Sequence, residues 1–114
     1  MENAIEIKSF QFSVRIVKLC KYLSLKKCEP SLIRQLIRCG TSVGANVAEA
    51  QEAQSRADFA AKLNIALKET AETSFWLRLL KETDHLNNEE FLSIHSDCIE
   101  VKSLLTSILK TIRE

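Results

Sequence analysis

The sequence has few residues that interrupt regular structure, with one proline and two glycines among its 114 residues. So few turn-forming residues argue against many short strands, and they favour long helices joined by few connections. No uninterrupted apolar run reaches the ~20 residues that a helix needs to cross a bilayer. The length suits one hydrophobic core, so we expect residues 1–114 to form a single all-α domain without a membrane span.

The sequence also lacks the cysteine and histidine patterns of metal sites. A carboxylate-bridged di-metal bundle needs two Glu-x-x-His pairs, whereas only Glu82 and His85 have this spacing. No CxxC pair occurs among the four cysteines, which are Cys20, Cys28, Cys39 and Cys98. We expect buried thiols in a reducing compartment, with no metal and no cofactor. The first residues do not form the apolar segment of a signal peptide, which predicts a cytoplasmic protein.

Apolar residues recur at helical spacing along four segments of the chain. Helix starts are indicated by Ser55 with Asp58 and by Asn87 with Glu90, since each pair has the spacing of a capping box. Four helices with brief connections predict an antiparallel up-down-up-down four-helix bundle. The predicted helices cover residues 5–25, 30–54, 56–82 and 88–113.

The first predicted helix has two apolar faces. One face carries Phe12, Ile16, Leu19 and Leu23, and the nearly opposite face carries Phe10, Val14 and Val17. A surface helix of a monomer needs only one apolar stripe, so a second stripe must also be buried. We expect one face to contact the helix's own bundle and the other a neighbouring subunit. The alternative is a helix that lies at the centre of the monomer.

A basic strip lies between these two faces and continues into the first connection. Residues 1–40 carry eight Lys/Arg and three Asp/Glu, whereas residues 41–114 carry eight and twelve. Such asymmetry is typical of an anion-binding face or of head-to-tail self-association. An ordinary solvated cationic face is the alternative. The candidate nucleic-acid contacts are Lys8, Arg15, Lys18, Lys26 and Lys27.

Small residues are concentrated in the second predicted helix. Each of its two glycines, Gly40 and Gly44, costs a helix about 1 kcal/mol relative to alanine. We expect the close approach of another backbone to offset this cost. A break in the helix at either glycine is the alternative.

Polar residues also line one face of the second helix and one face of the third. Carboxylates on the third helix are placed to accept hydrogen bonds from Arg38 and Asn46 if the two faces meet. Such partly buried networks fix register and partner geometry more than they add stability. The predicted structural or interface network comprises Arg38, Ser42, Asn46, Glu49, Lys62, Glu69 and Glu72.

One pair of residues indicates an alternative, enzymatic function. The spacing of Arg78 and His85 resembles the Arg-x(4–6)-His pair of HEPN-type ribonucleases, which are also helical bundles. In those enzymes the arginine would hold phosphate and the histidine would act in acid–base chemistry. Leu79 departs from the pattern, because a polar residue usually follows the arginine. A surface arginine and a loop histidine are the simpler interpretation, so no catalytic residue is assigned.

Residues 8–80 resemble the four-helix bundle proteins related to those encoded in 23S rRNA intervening sequences. The order and spacing of several elements carry the resemblance. The fourth helix lies outside these elements and shows only a general likeness to the family. These elements are Phe10–Leu23, Arg38–Ser42, Gly44–Asn46 with Ala48–Ala50, Ser55 with Asp58–Phe59, Ile65–Glu69, and Trp76–Leu80.

The resemblance implies an up-down bundle that assembles into a ring, commonly a homopentamer. It also implies kinship with the accessory variability proteins of diversity-generating retroelements, which look like basic, nucleic-acid-binding pentamers. This chain is nearly neutral, with a net charge of +1. From the resemblance we expect a non-enzymatic homo-oligomer that binds RNA, another nucleic acid or a protein.

Overall fold

A computed structural model describes residues 3–113, and within that range it contains four helices and no strand. The prediction of an all-α chain is therefore confirmed. Short connections join consecutive helices. All four helices contribute buried apolar side chains to one core. The helices are α1 (Ala4–Leu25), α2 (Pro30–Ala50), α3 (Arg56–Glu82) and α4 (Asn88–Arg113).

Polar side chains cap the starts of α3 and α4, as the sequence predicts. The hydroxyl of Ser55 accepts a hydrogen bond of 3.0 Å from the backbone N–H of Asp58. Asn87 and Glu90 bond each other reciprocally, each side chain accepting from the other residue's N–H at 2.8 Å. These contacts satisfy N–H groups that have no partner within the first turn of a helix.

Helix α2 ends at Ala50, four residues before the predicted end at residue 54. The N–H groups of Gln51, Glu52 and Ala53 bond carbonyls only three residues back, at 3.0–3.2 Å. This tighter turn ends the helix without a glycine or proline, and it lets Ser55 cap α3.

The predicted seam of α1 is buried except at one position, and α4 shows a similar departure from a seven-residue repeat. On α4, Leu105 and then Leu109 are buried, whereas Ile108 and Ile112 are only half-buried. A straight helix has 3.6 residues per turn, so a strict seven-residue repeat leaves the core within a few turns. On α1, the same drift buries Cys20 in place of the predicted Leu19.

Helix α2 runs unbroken through both glycines because α1 crosses close to it. A β-carbon at position 40 would lie 2.8 Å from the side chain of Ile16. A β-carbon at position 44 would lie 3.1 Å from the backbone carbonyl oxygen of Ser9. Close backbone approach at Gly44 is thus confirmed, and the alternative of a break at either glycine is wrong.

Candidate functional site

The basic strip of α1 faces a row of carboxylates on α4. The Nζ of Lys8 lies 3.2 Å from Oε1 of Glu100, and Nη1 of Arg15 lies 2.6 Å from Oδ2 of Asp97. Arg15 also donates to the carbonyl oxygen of Ser93 at 3.0 Å and to its hydroxyl at 2.9 Å. A phosphate that binds Lys8 or Arg15 therefore competes with a carboxylate that is already in place.

A third contact joins the C-terminal end of α1 to the start of α4. The hydroxyl of Tyr22 donates to Glu90, and this hydrogen bond holds the pKa of the carboxyl below its usual value. The Nζ of Lys26 donates to the Tyr22 hydroxyl at 3.3 Å and to the carbonyl oxygen of His85 at 3.4 Å. From Lys8 to Tyr22, residue numbers rise along α1 while those of their α4 partners fall.

The other two residues of the strip are more open. Lys18 and Lys27 are exposed, and neither forms an ion pair within residues 3–113. Lys18 lines a groove of about 540 Å³ between α1 and α4, and Leu19 and Ile94 contribute apolar surface to its lining. The structure thus leaves two of the five candidate contacts without an ion pair or a side-chain hydrogen bond among the described residues, and nucleic-acid binding by the strip stays a prediction.

The faces of α2 and α3 that carry the predicted polar network do meet. Arg38 forms an ion pair with Glu72, and its Nη1 lies 3.6 Å from Oε2 of Glu69. The indole N–H of Trp76 donates to Oε2 of Glu72 at 3.0 Å. The Oε2 atom of Glu69 is buried and accepts no hydrogen bond from the described residues. The network therefore joins the two helices through Arg38 but leaves one carboxylate oxygen without a donor.

A second part of the network lies further along the same two helices. The Nζ of Lys62 on α3 lies 3.3 Å from Oε1 of Glu49 on α2. Asn46 does not donate to the α3 carboxylates as proposed, because its amide reaches back one turn to Ser42. Its Nδ2 lies 2.9 Å from the Ser42 carbonyl oxygen and 3.0 Å from the hydroxyl. A role in register for these residues remains a prediction.

No hydrogen bond or ion pair joins Arg78 to His85 within the part of the chain that the structure describes. Helix α3 ends at Glu82, and His85 follows in the connection. The Nδ1 of His85 lies 2.9 Å from the hydroxyl of Thr83. The ribonuclease alternative gains no support from these contacts and stays a prediction.

Arg78 instead lies near the other histidine, in a cluster that the sequence analysis missed. The Oγ of Ser74 and Nε2 of His95 share a hydrogen bond of 2.8 Å across the α3–α4 groove. The ring of Phe91 stacks on His95 with centroids 4.6 Å apart, and Nζ of Lys81 lies 5.0 Å from the Phe91 ring centroid. Burial, and secondarily the charge of Arg78, lowers the pKa of His95.

The second apolar face of α1 is open to solvent in the single chain. Phe10 is 70% exposed, and Ile7 and Val14 on the same face are also exposed. Phe10 borders a cleft of about 260 Å³ together with Gly44 and Ala48 of α2. The alternative of a helix central within the monomer is therefore wrong, because α1 leaves this face uncovered.

The four cysteines are free and buried. Burial, followed by neighbouring thiols, raises the pKa of Cys20 to about 11. Burial also raises the pKa of Cys98 to about 12, and its Sγ donates to the carbonyl oxygen of Thr70 at 3.4 Å. Such thiols are protonated at neutral pH and inert as nucleophiles.

The arrangement of these helices agrees with comparisons to known proteins. Residues 1–107 match the family of the 23S rRNA-intervening sequence protein. The chain belongs to this family. It is also similar to a protein of unknown function from the S23 ribosomal protein family of Bacteroides thetaiotaomicron VPI-5482. That structure is 50% identical in sequence and superposes with a TM-score of 0.92, over 94% of this chain and 99% of the other.

None of the curated proteins matches the chain. In residues 3–113 no helix is long and apolar enough to cross a membrane. The same range contains no cluster of three or more His, Cys, Asp or Glu side chains placed to hold a metal ion.

Proposed function

We propose that this member of the 23S rRNA-intervening sequence protein family is a non-enzymatic homo-oligomer that serves as an RNA-binding accessory. Its helices form an antiparallel up-down-up-down bundle, and its copies form a ring, most simply a pentamer. The opposite order of the partners along α1 and α4 supports the antiparallel arrangement. The resemblance to ring-forming bundles supports the pentamer.

The observation that carries the assembly is the exposed apolar face of α1. Single exposed apolar side chains are ordinary on a soluble protein, whereas a contiguous patch indicates an interaction site. Ile7, Phe10 and Val14 form such a patch, and the cleft beside Phe10 offers a place for a partner's side chain. We assign this patch to the contact with a neighbouring copy.

The matching surface lies on α3 beside the polar network. Ile65 is exposed there. It lies one turn before Glu69 and two turns before Glu72, on the same side of the helix. The network has a carboxylate excess, since three glutamates face Arg38 and Lys62. The α1 patch is instead flanked by the exposed cations Lys18 and Lys21. We therefore assign the network to fixing the register of this contact: Arg38, Ser42, Asn46, Glu49, Lys62, Glu69 and Glu72.

These two surfaces differ, so the contact between copies is head-to-tail. A head-to-tail contact closes into a ring when the rotation between neighbours divides a full turn, whereas a self-complementary contact stops at a dimer. The opposite charge balance of residues 1–40 and 41–114 also favours a contact between unlike surfaces.

Light scattering after size-exclusion chromatography tests the assembly. The wild-type protein is expected near five times the 12.9 kDa chain mass. Phe10→Ser and Ile65→Ser are each expected to give monomers, since each removes one side of the contact. An equimolar mixture should recover a dimer, because each variant keeps the surface that the other has lost.

A matched control for these substitutions is Leu92→Ser, which changes an exposed residue of α4 outside both surfaces. This variant should keep the wild-type mass. A wild-type monomer at all concentrations would overturn the assembly. An oligomeric Ile65→Ser protein would overturn the head-to-tail contact.

RNA binding is proposed to depend on the ring. One chain offers only a few phosphate contacts, so its binding is expected to be weak and sensitive to salt. Several copies in one ring multiply this affinity through avidity. The purified ring should retain a labelled RNA at low salt and release it as salt rises. The free buried thiols fit the reducing cytoplasm, where we place this activity.

A further inference from the structure

We propose that the groove between α3 and α4, lined by Ser74, Arg78, Lys81 and His95, binds the phosphate groups of RNA. This inference rests on the proposed RNA-binding function and names a surface for it. The surface differs from the basic strip of α1 that the sequence indicates.

The spacing along α3 places three donors over one groove. Arg78 lies one turn after Ser74, and Lys81 lies one turn after Arg78, so the three side chains share a face of the helix. The two outer members both reach α4, Ser74 through its hydrogen bond to His95 and Lys81 through its contact with the Phe91 ring. Arg78 lies between them along the helix and is exposed, and its charge is near enough to lower the pKa of His95.

The cations of this groove are not neutralised as those of α1 are. Neither Arg78 nor Lys81 forms an ion pair within residues 3–113. Lys8 and Arg15, in contrast, each contact a carboxylate of α4. Binding a phosphate at the α3–α4 groove therefore displaces no carboxylate that is ion-paired with Arg78 or Lys81.

The chemistry of the groove matches a phosphodiester. A guanidinium binds two phosphate oxygens through parallel N–H groups, and an ammonium adds a second charge. The hydrogen-bonded pair of Ser74 and His95 keeps one further neutral donor, the hydroxyl or the Nδ1–H according to the tautomer, and both side chains are only partly buried. The Phe91 ring stacks on the His95 imidazole, with ring centroids 4.6 Å apart.

Fluorescence anisotropy with a labelled single-stranded RNA of mixed sequence tests the site. Arg78→Gln/Lys81→Gln is expected to weaken binding about tenfold or more. It should also reduce the slope of log affinity against log salt by about 1.4 for each copy that contacts the strand, since each phosphate contact on a single strand contributes about 0.7. Lys8→Gln/Arg15→Gln tests the competing α1 surface. The matched control is Arg34→Gln/Lys68→Gln, which removes the same charge from exposed positions outside both surfaces and should change affinity less than threefold.

A second readout is the titration of the His95 ring, followed by NMR with inorganic phosphate as the probe. Phosphate is expected to raise the pKa of His95 in the wild-type protein, because the bound anion favours the imidazolium. The charged or polar groups that face this ring are Ser74 and Arg78 from α3, with Lys81 across Phe91. Arg78→Gln should abolish most of the phosphate-dependent shift.

The outcomes separate this site from the function on which it rests. If the α1 variant loses RNA binding and the α3–α4 variant keeps it, the groove is the wrong surface and RNA binding stands. If RNA does not bind but phosphate shifts His95, the groove stands as a phosphate site and the RNA function falls. If neither probe responds, the inference is overturned.

Discussion

Gly44 of α2 lies directly against Ser9 of α1, so that a β-carbon at position 44 would stand 3.1 Å from the Ser9 carbonyl oxygen. The two helices are held this close because glycine has no side chain at the crossing. The hydroxyl of Ser13 also occupies the space beside Gly44, and it donates to the same carbonyl oxygen at 3.0 Å. The crossing thus depends on one residue's lack of volume.

Gly44→Ala is expected to destabilise the protein despite the better helix propensity of alanine. Alanine gains about 1 kcal/mol in an exposed helix, but overpacking against a neighbouring backbone costs about 1–3 kcal/mol. Since Ser9 contributes a backbone atom, it cannot rotate away, and a net loss of up to about 2 kcal/mol is expected. Urea unfolding measures the change. Ala45→Ser, at the exposed neighbouring position, is the control and should alter stability by under ~0.5 kcal/mol.

The starts of the helices could be predicted from the sequence because their determinants are local. The partners Asn87 and Glu90 are three residues apart, and the same separation joins Ser55 to Asp58. The end of α2 was misplaced because no glycine or proline marks it. Gln51 and the residues after it turn through three-residue hydrogen bonds that leave no mark in composition.

The candidate sites were less predictable because their contacts join distant parts of the chain. The helical faces of Arg38 and Glu72 are visible in the sequence, and their ion pair follows once α2 and α3 pack together. The pairing of Arg15 with Asp97 joins the first helix to the last and depends on how each rotates about its axis. The same holds for Ser74 and His95, whose hydrogen bond crosses 21 positions.

The cysteines are expected to resist alkylation until the protein unfolds. All four are buried, and burial keeps the pKa of Cys98 at about 12, so almost no thiolate exists at neutral pH. Intact-mass spectrometry after iodoacetamide treatment should show no adduct on the native protein and four adducts in urea. As a control, Ser103→Cys places a thiol on the exposed face of α4 and should react within minutes. Rapid native labelling of Cys20 or Cys98 would contradict the packed core.

The stability of the protein is expected to fall as the pH drops below about 6.5, with His95 responsible for part of the loss. Burial and the nearby Arg78 lower the pKa of His95 in the folded chain, whereas the unfolded chain keeps the ordinary value near 6.5. Below that value the unfolded state therefore binds more protons, and stability decreases until the folded-state ring also titrates. Above it, both states are neutral and His95 adds no slope.

Urea unfolding in phosphate-free buffers between pH 5 and 8 measures this loss, and the NMR titration of His95 gives its pKa directly. His95→Gln should reduce the difference between the pH 5 and pH 7.5 stabilities, because glutamine cannot take up a proton. Arg78→Gln should raise the pKa of His95 only in part, since burial by Phe91 and Ser74 is the larger cause and persists in that variant. An unchanged pH dependence in His95→Gln would show that the imidazole does not control the acid sensitivity of the bundle.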